Sequence, residues 1–325
     1  MPAGLSWPTT LTPTRGRDAV GTATIAQHPA GDVLMTQTFI AILLVIASTQ
    51  ALPDLARLRG FAWLRDGILR ANGHGGATPS LAQVVWLPAL VVVATAVVQA
   101  ALQARWFGLL EFAFMVSVLF VCWGPRDLDA DIEAVLKAPD NERRVNAAQA
   151  LNADGAAQSL PFHAASLVAA SFSAALSRYF GVLFWFVVAG PTGAIAYRLV
   201  QLLARSPAFR DAIGGTHVEL ERAASLLDWA PAHLLAFSVA LVSDFDAVVR
   251  SWRDYHAAHG NGYFTLDLGF LAVIARAGVD ADVSAEEGSI GDPLVELADA
   301  RVVLRRVMLA WLAVLAVVVI GGWAG

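Results

Sequence analysis

Charge is scarce in this sequence. Asp, Glu, Lys and Arg together make up 15% of its 325 residues, where soluble domains carry roughly a quarter. Lysine is almost missing, Lys137 being the only one, so the basic side chains are arginines. With a net charge of −5 and no concentrated basic face, the chain has no surface for a nucleic-acid partner. Cysteine is reduced to Cys122, which excludes an internal disulfide and any multi-cysteine metal site. There is no P-loop, no G-x-S-x-G elbow and no H-E-x-x-H. No catalytic residue, metal ligand or cofactor is therefore assigned.

What remains is hydrocarbon. Apolar residues reach 57% and mean hydropathy is +0.59. The apolar residues cluster in long uncharged runs, as a bilayer demands. The pattern predicts an all-α, polytopic membrane helical bundle of four to six hydrophobic segments, some of them candidates for re-entrant elements, with amphipathic loop helices between.

Residues 1–34 are rich in Pro, Thr and Gly and read as a disordered tail or an upstream misassignment of the start, with Met35 as a natural initiator; residues 35–325 form a single membrane domain. Thr36–Leu52 is the first uncharged run. A signal peptide is its competing reading, opposed by the lack of an adjoining basic region. Leu81–Gln103 and Trp106–Trp123 form a hairpin of spans, with Trp86, Trp106 and Trp123 near its ends, where interfacial tryptophans belong. Glu111 lies inside the second arm. It faces either the protein interior or, by snorkelling, the interface.

After Gly124-Pro125, the residues Asp127, Asp129, Asp131 and Glu133 precede apolar residues at helical spacing. Acidic residues suit the first turn of a helix, so 127–138 is predicted to be an amphipathic helix rather than a calcium loop. Residues 156–177 are small and nearly uncharged, suited to packing inside a bundle. Arg178 separates them from the run Tyr179–Tyr197, which Gly190-Pro191-Thr192-Gly193 would break midway. Trp229–Ser243 is too short to span with ease, so a re-entrant or buried helix is expected there. Val307–Gly325 is the last span. His256 and His259, with Asp254 beside them, read as part of a solvated polar helix rather than a metal site.

Arginine counts put the loops 53–80, 124–162 and 244–306 on the cytoplasmic side. The stretch 198–228, with four arginines, agrees with this only if its flanking segments are re-entrant, which leaves four spans.

Leu183-Phe184-Trp185, Gly190-Pro191-Thr192-Gly193-Ala194 and Tyr197-Arg198 together resemble the LFW, GGPxGA and YR core of a membrane family. That family holds the AmpE proteins and the related cobinamide-phosphate synthases (CobD/CbiB). Leu227-Asp228-Trp229-Ala230-Pro231-Ala232-His233-Leu234 is similar to the AmpE segment LDWVPxRL, and Gly124-Pro125-Arg126-Asp127-Leu128 to a GPxxL element. The resemblance covers the chain from Met35 onward. Two departures stand out. Ser171–Ser177 lacks the acidic Glu-Asn-x-x-Asp of the synthases, and Thr49-Gln50 stands where AmpE relatives often carry Glu-Arg.

The resemblance implies an inner-membrane regulatory protein linking cell-wall recycling to β-lactamase induction. Its expected partners are the lipid bilayer and a wall-derived or other anionic small molecule, or a cytoplasmic protein such as the amidase AmpD. The alternative it implies is an ATP-dependent amide ligase of the cobinamide-phosphate synthase type. That activity would need at least two carboxylates near Gly190–Arg198, with Glu111, Asp127 and Asp228 as suppliers. For an anionic ligand the candidate residues are Arg198, Arg222 and His233 with Tyr197, the broken-helix residues Gly190, Pro191 and Gly193, and Glu111. Arginine forks suit phosphate or carboxylate, and a helix break offers backbone N–H groups.

Overall fold

The structure is a computed structural model that describes residues 29–51, 60–72, 79–104, 108–124, 126–152, 159–209, 213–260, 262, 265–283 and 292–321. Its regular structure is all helical, with no strand among the described residues. The helices are α1 (Pro29–Ala51), α2 (Ala62–Asn72), α3 (Leu81–Ala104), α4 (Gly108–Cys122), α5 (Leu128–Lys137) and α6 (Asn141–Ala148). There follow α7 (Ala164–Ala175), a π-helical turn (Leu176–Phe180), α8 (Gly181–Arg205), α9 (His217–Val242), α10 (Phe245–His259), α11 (Phe270–Val283) and α12 (Pro293–Gly321).

Four helical stretches are long and apolar enough to cross a membrane: Leu81–Gln103, Ala164–Arg205, His217–Val242 and Pro293–Gly321. Apolar helices at Met35–Thr49 and Gly108–Cys122 are shorter. The stretch from Ala164 is 42 residues long. At 1.5 Å per residue it would measure about 63 Å, twice the hydrocarbon core of about 30 Å. It does not run straight. At Gly190 the backbone leaves the helix with φ 64° and ψ −156°, a region that essentially only glycine occupies, and Pro191 restarts it.

Two cores divide the molecule. One gathers α1, α2, α3, α4, α8 and the start of α9 around Ile42, Leu64, Leu119, Phe186 and Leu199. The other gathers α5, α7, the second half of α9, α10, α11 and α12 around Ile132, Phe172, Leu235, Phe270 and Val303. Tyr179, Met308 and Trp311 pack against both. The π turn therefore lies on the seam.

Several expectations are met. Asp127 caps α5, its side chain accepting from the Asp129 N–H at 3.0 Å, which is the predicted helix start. α7 is packed inside the bundle, with Leu167, Val168, Ser171 and Phe172 buried. Cys122 is fully buried.

Others are corrected. The first helix starts at Pro29, inside the stretch read as a tail; residues 1–28 lie outside the described residues. The segment read as Trp229–Ser243 belongs to a 26-residue helix of spanning length. Its first turns fall in the arginine-bearing stretch 198–228, where Arg222 stands on the exposed face. Leu220 and Ala224 nonetheless bury one face of them. Arg178 does not separate two segments, because the helical path runs through it. Trp123 does not face outward: it is 4% exposed and stacks on Tyr179, with ring centroids 5.1 Å apart. Trp86 is 47% exposed, and Trp106 lies outside the described residues. His256 is buried rather than solvated, accepting from the Trp252 indole at 3.0 Å, while His259 and Asp254 face outward.

Candidate functional site

The motif residues of α8 and α9 bind to each other. Pro231 has no N–H to donate, so the carbonyl of Leu227, four residues back, loses its helical partner. The Trp185 indole N–H of the facing helix donates to that carbonyl at 3.0 Å. One residue further, Asp228 is fully buried. Its Oδ1 accepts from the Tyr197 hydroxyl at 2.7 Å and from Gln201 Nε2 at 2.8 Å, and its Oδ2 lies 2.7 Å from Arg205 Nη1. A Cβ on Gly181 would stand 2.1 Å from the Tyr197 hydroxyl, so glycine is what admits the ring. A Cβ on Gly193 would meet the Trp185 carbonyl oxygen at 2.3 Å, so the restarted helix packs against the first half only with glycine there.

Gln99 of α3 completes the break. Its Oε1 accepts from the Thr192 N–H at 3.1 Å and from the Thr192 hydroxyl at 2.7 Å. It thereby satisfies one of the N–H groups that a restarted helix leaves open.

The residues expected to share an anionic ligand are not gathered in one place. Tyr197 and Arg198 are buried, Arg198 at 4% exposure, and Gly190, Pro191 and Gly193 line the break beside them. Arg222 is exposed on α9. His233 belongs to an aromatic cluster, its ring 4.6 Å from Trp229 and 4.8 Å from Phe270, with Nδ1 2.7 Å from the Trp229 carbonyl. Glu111 is half-buried in the first turn of α4. Of the three carboxylates that could supply the pair a ligase reading requires, Asp228 bonds to the Gly190–Arg198 segment. Asp127 bonds instead to Tyr179 at 2.8 Å.

A second polar constellation lies on the seam, and it was not assembled from the sequence. Arg178 is 1% exposed, and its Nη1 donates to Asp131 Oδ2 at 2.8 Å while Nη2 donates to the Ala150 carbonyl at 2.7 Å. Arg126 grips the other oxygen of Asp131 at 2.8–2.9 Å. The Tyr179 hydroxyl accepts from the Leu128 N–H at 2.7 Å and donates to Asp127. From α12, Arg301 and Arg305 each fork onto Asp129 through Nε and Nη2, at 2.5–3.0 Å, and Arg301 also reaches Glu133 at 3.0 Å. The hydrogen bond from Arg301, joined by that from Arg305, holds the Asp129 carboxyl below its ordinary range. Lys137 and then Arg301 do the same for Glu133.

These groups border a cavity of about 970 Å³. Its polar wall includes Arg126, Arg301, Arg305, Tyr179 and the carboxylates Asp127, Asp129, Asp131 and Glu133; its apolar wall includes Ile46, Leu304, Met308, Leu309 and Leu312. Thr49 lines it too. Among the described residues no group of three or more His, Cys, Asp or Glu side chains is placed to hold a metal ion.

No solved structure matches the chain. A cobalamin biosynthesis protein CobD from Stutzerimonas stutzeri (strain A1501) is 35% identical over 78 residues, a match that covers 23% of this chain and 25% of that protein. The family model described as regulatory signalling modulator protein AmpE matches residues 37–322. That match takes in both cores, the broken helix and the seam cavity. The chain belongs to the AmpE family.

Proposed function

We propose that this chain is a multi-pass inner-membrane regulatory protein that works without catalysis, relaying a signal in the pathway linking cell-wall recycling to β-lactamase induction. The observation that carries the reading is the junction of α5 with α12. α5 is amphipathic and lies outside the stretches long enough to cross a membrane. α12 is of spanning length, and Arg301 and Arg305 tie it to Asp129 and Glu133 of α5. Such a charged contact between packed helices is one that a shift of either helix would break or re-form. A cytoplasmic partner such as AmpD, or a wall-derived anionic molecule, would act on the α5 side. The buried carboxylates support a role other than catalysis, since Asp131 and Asp228 are both spent on holding helices together.

The test is genetic. In a bacterium with an inducible β-lactamase, the chromosomal gene is deleted and restored as wild type or as Arg301→Gln/Arg305→Gln. Both the deletion and the double variant should change induced β-lactamase activity about fivefold or more, the variant at unchanged membrane abundance. Induction that is the same in the deletion strain would end this reading. The similarity to the CobD-named protein favours a second reading, an ATP-dependent amide ligase. ATP- and Mg²⁺-dependent joining of a corrinoid acid to an added amine by the purified chain would establish it in place of the first.

A further inference from the structure

The seam cavity has two chemically different walls, and they specify an occupant. Leu304, Met308 and Leu312 recur every four residues along one face of α12, over about 12 Å. They start beside Arg301 and Arg305 and enter the uncharged run after Arg306, so the apolar wall leads away from the charges. A water-soluble ligand would leave this wall facing water, and a hydrocarbon would leave the charged wall unmet. A volume of about 970 Å³ is at the upper end for small-molecule sites and far exceeds an ion.

The polar wall narrows the headgroup. The side chains of Arg126 and Arg305 are 62% and 60% exposed. Each commits Nε and Nη2 to a carboxylate, leaving the Nη1 donors of both guanidinium groups for an incoming phosphate. Asp127 is half-buried on the same wall. It accepts from the Asp129 N–H and the Tyr179 hydroxyl, and no ion pair joins it to a cation among the described residues. A headgroup with negative charge alone would face Asp127 uncompensated. One that also carries an ammonium would satisfy it.

We propose that the cavity binds an aminophospholipid drawn from the surrounding bilayer. The phosphate sits on Arg126 and Arg305, the ammonium on Asp127, and an acyl chain lies along Leu304, Met308 and Leu312. The site goes beyond the regulatory reading and does not rest on it.

The experiment is native mass spectrometry of the full chain purified in detergent, titrated with phosphatidylethanolamine or phosphatidylglycerol of equal chain length. Water-soluble glycerophosphoethanolamine serves as competitor. The wild type should retain phosphatidylethanolamine about tenfold better, the size expected of one charge-assisted hydrogen bond. Asp127→Asn should bring the two lipids level, since asparagine caps a helix as well as aspartate does and only the charge is lost. Arg305→Gln, at a largely exposed side chain, should weaken both lipids alike. Equal retention of the two lipids by the wild type would overturn the proposal, as would an unchanged preference in Asp127→Asn. Displacement of the lipid by glycerophosphoethanolamine at equal concentration would do so too, because the chain would then contribute nothing. The β-lactamase assay does not enter, so a negative result here leaves the regulatory reading standing.

Discussion

Two carboxylates are buried among the described residues, and they are compensated in opposite ways. Asp131 of α5 is 4% exposed and is held by two guanidinium groups, of which Arg178 is itself 1% exposed. Asp228 of α9 is fully buried and is held by a phenol, an amide and a single guanidinium, Arg205, whose side chain is 21% exposed. In the first network Arg178 is sealed in the protein with Asp131, so removing Asp131 strands Arg178, and removing Arg178 leaves Asp131 only the exposed Arg126. In the second the neutral donors tolerate a neutral acceptor, and the lone cation can turn toward the surface. Burial of the partner, more than burial of the acid, sets how much a substitution disrupts.

The comparison is broken most forcefully at Arg178. Arg178→Met should destabilise the protein by about 3–5 kcal/mol, the cost of leaving half of a buried pair. Thermal unfolding in detergent micelles would register it as a large drop in melting temperature. Adding Asp131→Asn should restore most of the loss, because a buried pair replaced as a whole is often close to neutral. A single variant as stable as the wild type would remove the distinction drawn here.

Asp228→Asn should cost less, about 1–3 kcal/mol, with the same melt as readout. A loss as large as that of Arg178→Met would show that neutral donors do not buffer the site. Trp185→Phe probes the same helix pair without touching charge. It removes the donor to the Leu227 carbonyl and should cost about 1 kcal/mol, and a compensating Pro231→Ala should lower that cost by returning the helical N–H.

The smallest effect belongs to Asp129, two residues from Asp131 on α5 but held by a separate pair of arginines, Arg301 and Arg305. Asp129→Asn should change stability by about 0–1 kcal/mol at neutral pH, as solvent-screened pairs do. Its signature is in acid. The folded protein holds the Asp129 carboxyl below its ordinary value of 3.8, so its contribution is complete above that value. It is lost as pH falls through the lower folded one. Between about pH 5 and about pH 3 the wild type should therefore lose more melting temperature than Asp129→Asn. Identical acid slopes would show that the arginine forks contribute nothing.

Much of the architecture was legible. Gly190-Pro191-Thr192-Gly193 inside an apolar run could only be a break, because proline removes a donor and glycine reaches backbone angles other residues avoid. The alternating acids after Gly124-Pro125 read correctly as a helix start. Arg178 did not read correctly, since a charge between two apolar runs looks like a boundary until its partner is known. That partner lies 47 residues away. The length of α9 was hidden for a related reason: its first turns are charged on one face and packed on the other. Gln99 drew no notice in an uncharged helix, although it caps the restart of another. The seam cavity was beyond reach of any local pattern, being built from four separate segments of chain.

The bond from Trp185 to the Leu227 carbonyl has a bearing on how the two helices can be exchanged between relatives. Pro231 creates a vacancy that only a donor on α8 fills, and Gly193 and Gly181 keep clear the room that Trp185 and Tyr197 occupy. The four positions on α8 and the proline on α9 thus behave as a lock cut for one key. A chimaera that imports α9 from a relative without its matching α8 would inherit an unanswered carbonyl or an idle indole. One that carries both helices across together would inherit a working joint.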